Sequence, residues 1–165
     1  MAARFPTRPE PRWLDEDQQG AWRALVLGST LLFDRLDEDL RHHHGISLVE
    51  YEILVRLSES DGRMRMARLA DALAHSRSRV THTIRRMEDS GLVQRELSPE
   101  DGRGVSAVMT DRGRLLLENV APSHVEAVRE NLVDLVDPDD FAAMGRVLNA
   151  VADHLICGHP DREMR

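Results

Sequence analysis

The chain has 165 residues, 41% of them hydrophobic and 31% charged, and a net charge of −7. That length suits one domain, or a small domain with helical extensions. No apolar run reaches the length of a membrane helix, no signal-peptide pattern opens the chain, and a single cysteine, Cys157, excludes an intramolecular disulfide framework, so a cytoplasmic protein with no membrane partner is expected.

Residues 1–12 (MAARFPTRPEPR) hold three prolines and four charges and read as a flexible arm. A long helix is predicted from about Leu14, with Asp15, Glu16 and Asp17 where negative charge suits a helix start. Trp22, Leu25, Ser29, Leu32, Leu36 and Leu40 recur at steps of three and four, and Val26, Leu31 and Phe33 widen that face. The helix should end at Arg41-His42-His43-His44-Gly45, titratable groups followed by glycine. Residues 13–45 form an N-terminal dimerisation helix in this reading, because its apolar surface exceeds what a small domain can cover.

Ser47-Leu48-Val49-Glu50 is a capping box and opens a helix carrying Tyr51, Leu54, Val55 and Leu57. Asp61-Gly62 makes a turn, and Arg63-Met64-Arg65 is expected to pair with a later hairpin. A helix from about Met66 to Ala74 follows, with Met66, Leu69, Ala70 and Leu73 on one face. Ser76 can cap the next helix, whose Val80, Ile84 and Met87 face inward at helical spacing. Its other side carries Arg77, Ser78, Arg79, Thr81, His82, Arg85 and Arg86, with no acid before Glu88. A donor-rich helix held by a short preceding helix suits the DNA major groove. Within it, Ser76 to His82 are the expected base readers, and Arg85 and Arg86 the expected phosphate contacts.

Gly91 should stop that helix, Leu92 to Leu97 and Val105 to Met109 read as a hairpin, and Pro99 to Gly104 as its tip. Arg103 at the tip is placed to enter a minor groove, and Asp101 to orient it by a charge-assisted bond. The charge distribution agrees with this. Residues 62–114 hold 11 arginines and 7 acids, a balance of +4, while the remainder holds 11 arginines and 22 acids, a balance of −11. A locally basic module in an acidic body is an electrostatic footprint for phosphate.

Thr110 caps a helix predicted to run to about Val136, with Pro122 bending it or breaking one bond of its ladder. Asp137-Pro138-Asp139-Asp140 opens the last helix, with Phe141, Met144, Val147, Leu148, Val151 and Leu155 on its apolar face. The division is therefore an arm (1–12), a dimerisation helix (13–45), a DNA-binding lobe (46–112) and C-terminal dimerisation helices (113–165). Terminal helices packing across a two-fold axis would set two recognition helices on two half-sites of palindromic double-stranded DNA.

Several stretches in this order and spacing resemble the MarR family of winged helix-turn-helix regulators. They are Ile46-Ser47-Leu48-Val49-Glu50-Tyr51, Leu69-Ala70-Asp71-Ala72-Leu73, Ser76-Arg77-Ser78-Arg79-Val80-Thr81, Glu88-Asp89-Ser90-Gly91-Leu92-Val93, Asp101-Gly102-Arg103 and Met109-Thr110-Asp111-Arg112-Gly113. The resemblance covers roughly residues 14–156. It implies a mainly α fold with a small β-wing, and a homodimeric, usually repressing regulator. It also implies relief by a small aromatic or anionic molecule bound between the dimer helices and the DNA-binding lobe. His82, Gly102 and Met109 stand where family members often carry arginine, arginine and leucine.

A ligand cavity is expected among Trp13, Trp22, Phe33, Arg35, His44, Tyr51 and His124. No cofactor and no metal are expected. Consecutive residues on a helix point about 100° apart, so His42-His43-His44 cannot share one ion. A histidine-based metal sensor and a winged-helix protein-interaction module are the alternatives. An enzyme is not indicated, since the chain has no glycine-rich phosphate loop and no nucleophile elbow.

Overall fold

The computed structural model describes residues 11–97 and 104–157. Its elements, in chain order, are α1 (Glu16–His44), α2 (Leu48–Ser58), β1 (Arg63–Arg65), α3 (Met66–Ala72), α4 (Arg77–Asp89), β2 (Val93–Leu97), β3 (Val105–Met109), α5 (Asp111–Asn131), a short 3-10 turn (Val133–Leu135) and α6 (Pro138–Cys157).

Local chemistry sets most of these boundaries. Asp15 caps α1 by accepting the Gln18 N–H at 2.8 Å, and the Gln18 side chain returns the bond to the Asp15 backbone. Gly45, at φ 72°, ends α1 in the left-handed conformation that glycine adopts without steric cost. The expected Ser47–Glu50 capping box is present on α2. Thr110 caps α5, and its hydroxyl also reaches the Gly91 carbonyl at 2.7 Å, which joins the start of α5 to the end of α4.

The three strands form an antiparallel sheet in the order β1-β3-β2. Arg63, Met64 and Arg65 pair with Val108, Ala107 and Ser106, so the extended piece before α3 completes the sheet as expected. On the other edge Val93 pairs with Met109 and Leu97 with Val105. Met64, Val93, Ala107 and Met109 turn into a core shared with Tyr51, Ile53, Leu54 and Leu57 of α2, Leu69 and Ala70 of α3, and Val80, Ile84 and Met87 of α4. Leu40 of α1 and Val120 of α5 belong to the same core.

Two expectations about the helices need correction. The helix after the wing does not run to Val136. It ends at Asn131, where Leu132 leaves helical geometry at φ −145°, and a 3-10 turn follows. Pro122 lies inside the helix and, as expected, costs one bond of the ladder, since proline has no N–H to meet the Glu118 carbonyl. The helix expected to reach Ala74 ends at Ala72, because Ala74 takes φ 52° in the turn toward α4.

The terminal helices bury little in the single chain. The buried residues of α1 are Leu36 and Leu40, and no described residue of α6 is buried. Trp13, Trp22, Leu25, Leu31 and Phe33 at one end, and Phe141, Val147, Leu148, Val151 and Leu155 at the other, are large exposed apolar side chains.

Asp37 fastens α1 to the start of α2. Its Oδ1 accepts the Leu48 N–H at 2.8 Å, and Arg41 binds its other oxygen. Burial alone would raise the Asp37 carboxyl, but the bonds from Arg41 and Leu48 outweigh it and hold the pKa below the ordinary 3.8. A group with a lowered folded pKa contributes stability above its unfolded value and loses it as pH falls through the folded one. The Asp37 contribution is therefore intact at neutral pH and fades below about pH 4. Denaturant unfolding of Asp37→Asn should show lower stability than the native chain at pH 7, and a smaller difference at pH 3. An equal difference at both pH values would mean that the carboxylate charge is not what joins the two helices.

Candidate nucleic-acid interface

The candidate interface is the outer face of α4. Ala74 in the left-handed conformation, with the Ala74 and His75 N–H groups donating to Asp71 and Ala70, turns the chain sharply from α3 into α4. Ser76 accepts the Arg79 N–H at 3.3 Å and fixes the first turn. Val80, Thr83, Ile84 and Met87 are buried beneath the helix. Burial of Thr83 was not legible from an apolar period. Its hydroxyl donates to the Arg79 carbonyl at 3.1 Å and so needs no outside partner.

With that face buried, the opposite one is determined by helical geometry. Ser76, Arg77, Ser78, Arg79, His82, Arg85 and Arg86 are exposed, and Thr81 is half-buried with its hydroxyl donating to the Arg77 carbonyl at 2.8 Å. The expected readers thus share one surface. Arg103 and Asp101, the expected wing contact and its orienter, lie outside the described residues.

Three acids around α4 have roles that sequence patterning missed. Glu88 accepts from the Arg95 backbone N–H at 3.0 Å and from its guanidinium at 2.7 and 2.8 Å, clamping the end of α4 to β2. Those bonds hold the Glu88 carboxyl below its usual range, so it remains a paired anion at the root of the wing. Glu96 pairs with Arg63 across the sheet. Glu50 caps α2 and also binds Arg86 of α4, at 2.8 Å. Burial pushes the Glu50 carboxyl up, but the bonds from Ser47 and Arg86 bring it below its ordinary value. Arg86 is therefore held at the side of α4, where the sequence alone gave no reason to separate it from Arg85.

A cavity of about 290 Å³ lies between α1 and α5. Arg35, Leu36, Asp39 and His44 line one wall, and Ser123 and His124 the other. His44 Nε2 lies 2.7 Å from Ser123 Oγ, and the Tyr51 ring packs on His124 with centroids 4.3 Å apart. Burial lowers the His124 pKa, which favours the neutral imidazole. Of the expected cavity residues, Arg35, His44 and His124 line it, and Tyr51 meets it only through His124. Trp13, Trp22 and Phe33 do not join them. They are 85%, 57% and 57% exposed on the surface of the single chain. Among the described residues, no three His, Cys, Asp or Glu side chains converge as ligands for a metal ion, and no helix is long and apolar enough to cross a membrane.

Comparison with known proteins places this geometry. A sequence profile described as the MarR family matches residues 44–104, which hold α2 to α4 and the first strand of the wing. The crystal structure of AbsC, a MarR family transcriptional regulator from Streptomyces coelicolor, is 44% identical to this chain. It superposes with a TM-score of 0.83 over 88% of this chain and 98% of its own. The chain belongs to the MarR family of transcriptional regulators. A second MarR family regulator from the same organism, Sco3205 in complex with DNA, is 40% identical, with a TM-score of 0.85 over 90% of this chain and 93% of its own. The transcriptional regulator PecS of Dickeya dadantii is 27% identical over 138 residues, 80% of this chain and 82% of that protein. The mainly helical fold with its small wing, expected from the sequence, is the fold of this MarR chain and of these relatives.

Proposed function

We propose that this MarR regulator is a homodimeric repressor that binds a palindromic operator through α4 and the wing and is released by a small molecule. The observation that carries the reading is the outer face of α4, where Arg77, Arg79, His82 and Arg85 are exposed over a fully buried inner face. Sco3205, a relative of 40% identity, has been captured on DNA, which supports the same use of the helix here. Ser76, Arg77, Ser78, Arg79, Thr81 and His82 read base edges in the major groove, Arg85 holds a phosphate, and Arg103, oriented by Asp101, contacts a minor groove. Double-stranded DNA is the partner, in the cytoplasm, and no catalysis is involved.

The apolar surfaces that α1 and α6 leave exposed support association with a second copy, and their burial sets the two α4 helices on half-sites about one DNA turn apart. The cavity beside Arg35, His44 and His124 adjoins the junction of α1 with the DNA-binding lobe, which suits an effector of small aromatic or anionic character.

The test is fluorescence anisotropy on duplex DNA from upstream of the chain's own coding region, against unrelated DNA, over a salt series. Arg77→Ala and Arg79→Ala should each weaken operator binding by about 1–3 kcal/mol, the scale of one good base or phosphate contact. Native affinity in both variants at fixed salt would remove α4 from the interface. Weak binding to both duplexes by the native protein would point instead to a winged helix used for protein contacts.

A further inference from the structure

Arg85 and Arg86 are neighbours in α4, but only Arg86 faces α2. Arg86 Nη2 donates to Glu50 Oε1 at 2.8 Å. The Glu50 side chain is 13% exposed and that of Arg86 49%, so the carboxylate is the sheltered partner. Its second oxygen is already engaged. Glu50 Oε2 accepts the Ser47 N–H at 2.8 Å and the Ser47 hydroxyl at 2.7 Å. Glu50 cannot follow Arg86 outward without opening the α2 cap, and the cap is anchored to α1 through the Leu48 N–H on Asp37. For Arg86 to reach a phosphate it must leave a sheltered carboxylate without its cation, and a sheltered charge stripped of its partner is costly.

We propose that Glu50 is a positioning residue for the DNA face: it retains Arg86 at the start of α2 and withholds that cation from DNA phosphate. The inference rests on the reading of α4 as the DNA-facing helix. Its consequence is a regulator with one phosphate contact fewer than its arginines suggest. Because phosphate contacts supply nearly all non-specific affinity, withholding one lowers binding to unrelated DNA and leaves selectivity to the base readers.

Glu50→Gln tests this without dismantling the helix start. Glutamine serves at the third position of a capping box as glutamate does, so Ser47 keeps its acceptor while the charge that holds Arg86 is lost. The probe is a labelled mixed-sequence duplex of about three helical turns, followed by anisotropy from low to high salt. Glu50→Gln should bind it about three- to tenfold more tightly near ~0.1 M salt, and log K should fall with log salt more steeply by about 0.9, the increment for one further phosphate. Arg86→Ala should keep the native slope, which counts phosphate contacts, while the bared Glu50 charge lowers its affinity. The double variant, with no charge bared, should keep both the native slope and the native affinity, because the gain in Glu50→Gln comes entirely from Arg86.

An unchanged or shallower slope in Glu50→Gln would overturn the proposal, as would a shallower slope in Arg86→Ala, since Arg86 would then touch phosphate despite Glu50. The double variant bares no charge, so its slope decides the matter if either single variant folds poorly. Arg85→Ala in the same series separates the two levels, since Arg85 is the phosphate contact of α4 in that reading. If it binds as the native protein does, the reading of α4 fails and this inference with it. If it weakens binding while Glu50→Gln keeps the native slope, only this inference fails.

Discussion

Ile84→Ala should destabilise the chain by about 4 kcal/mol, within the range for large-to-small changes at buried isoleucine and leucine. Ile84 is wholly buried at the centre of the inner face of α4, in the same core as Leu54 and Leu57 of α2 and Leu69 of α3. Removing three carbons there loses their transfer free energy and leaves a cavity that helices from three directions cannot all close. A domain of this kind is stable by only about 5–15 kcal/mol, so the variant gives up a large share of its margin. Urea unfolding at one fixed protomer concentration measures the loss, since association would couple stability to concentration. The molecules that remain folded should bind DNA with nearly native affinity, because the donor face is untouched. A loss under about 1 kcal/mol would mean that α4 can settle onto the core without Ile84.

Gly113→Ala should cost about 3 kcal/mol, at the upper end of what overpacking a tight site typically costs. In an open helix the same change stabilises, by roughly 0.5–1 kcal/mol, because alanine loses less freedom on folding than glycine. Here the sign reverses. A Cβ on Gly113 would stand 2.2 Å from the Leu92 carbonyl oxygen and 3.1 Å from Met109 Cγ. The first of these is backbone and cannot rotate away. The Leu92 carbonyl also accepts the Thr110 N–H at 3.1 Å, so the turn after α4 and the start of α5 are held against each other. Displacing α5 would disturb the wing strands, the Thr110 cap and the closure of the core by Val120 together. Thermal unfolding should show a lower midpoint for Gly113→Ala. A raised midpoint would show that helix propensity outweighs the contact.

The Gly113 contact is one that local patterning could not supply, while much else, the burial of Ile84 included, was legible in advance. Ser47, Ser76 and Thr110 announced the starts of α2, α4 and α5 because a capping hydroxyl acts within three residues of itself. Val80, Ile84 and Met87 announced the inner face of α4 because burial follows the helical period. The pairing of Arg63–Arg65 with β3 was legible as an extended piece beside a hairpin. The end of α5 was not, since Asn131 to Val136 carries no glycine or proline stop, and the 3-10 turn there gives no strong composition signal. The cavity was half legible. Arg35, His44 and His124 line it, but Trp13, Trp22 and Phe33 are exposed on the surface of the single chain, and a periodic apolar pattern does not tell the two apart.

What the sequence determined by itself, then, is the set of elements and the helix face that carries donors. These depend on caps, turns and periods acting over a few residues. What only the tertiary structure decided is which of those donors is already engaged and which glycine the packing requires. Arg86 meets Glu50 across 36 residues of chain, and Gly113 meets Leu92 across the wing. A charge or a missing Cβ acts through space at a few ångströms, and that separation is set by how the helices pack, which no local pattern encodes.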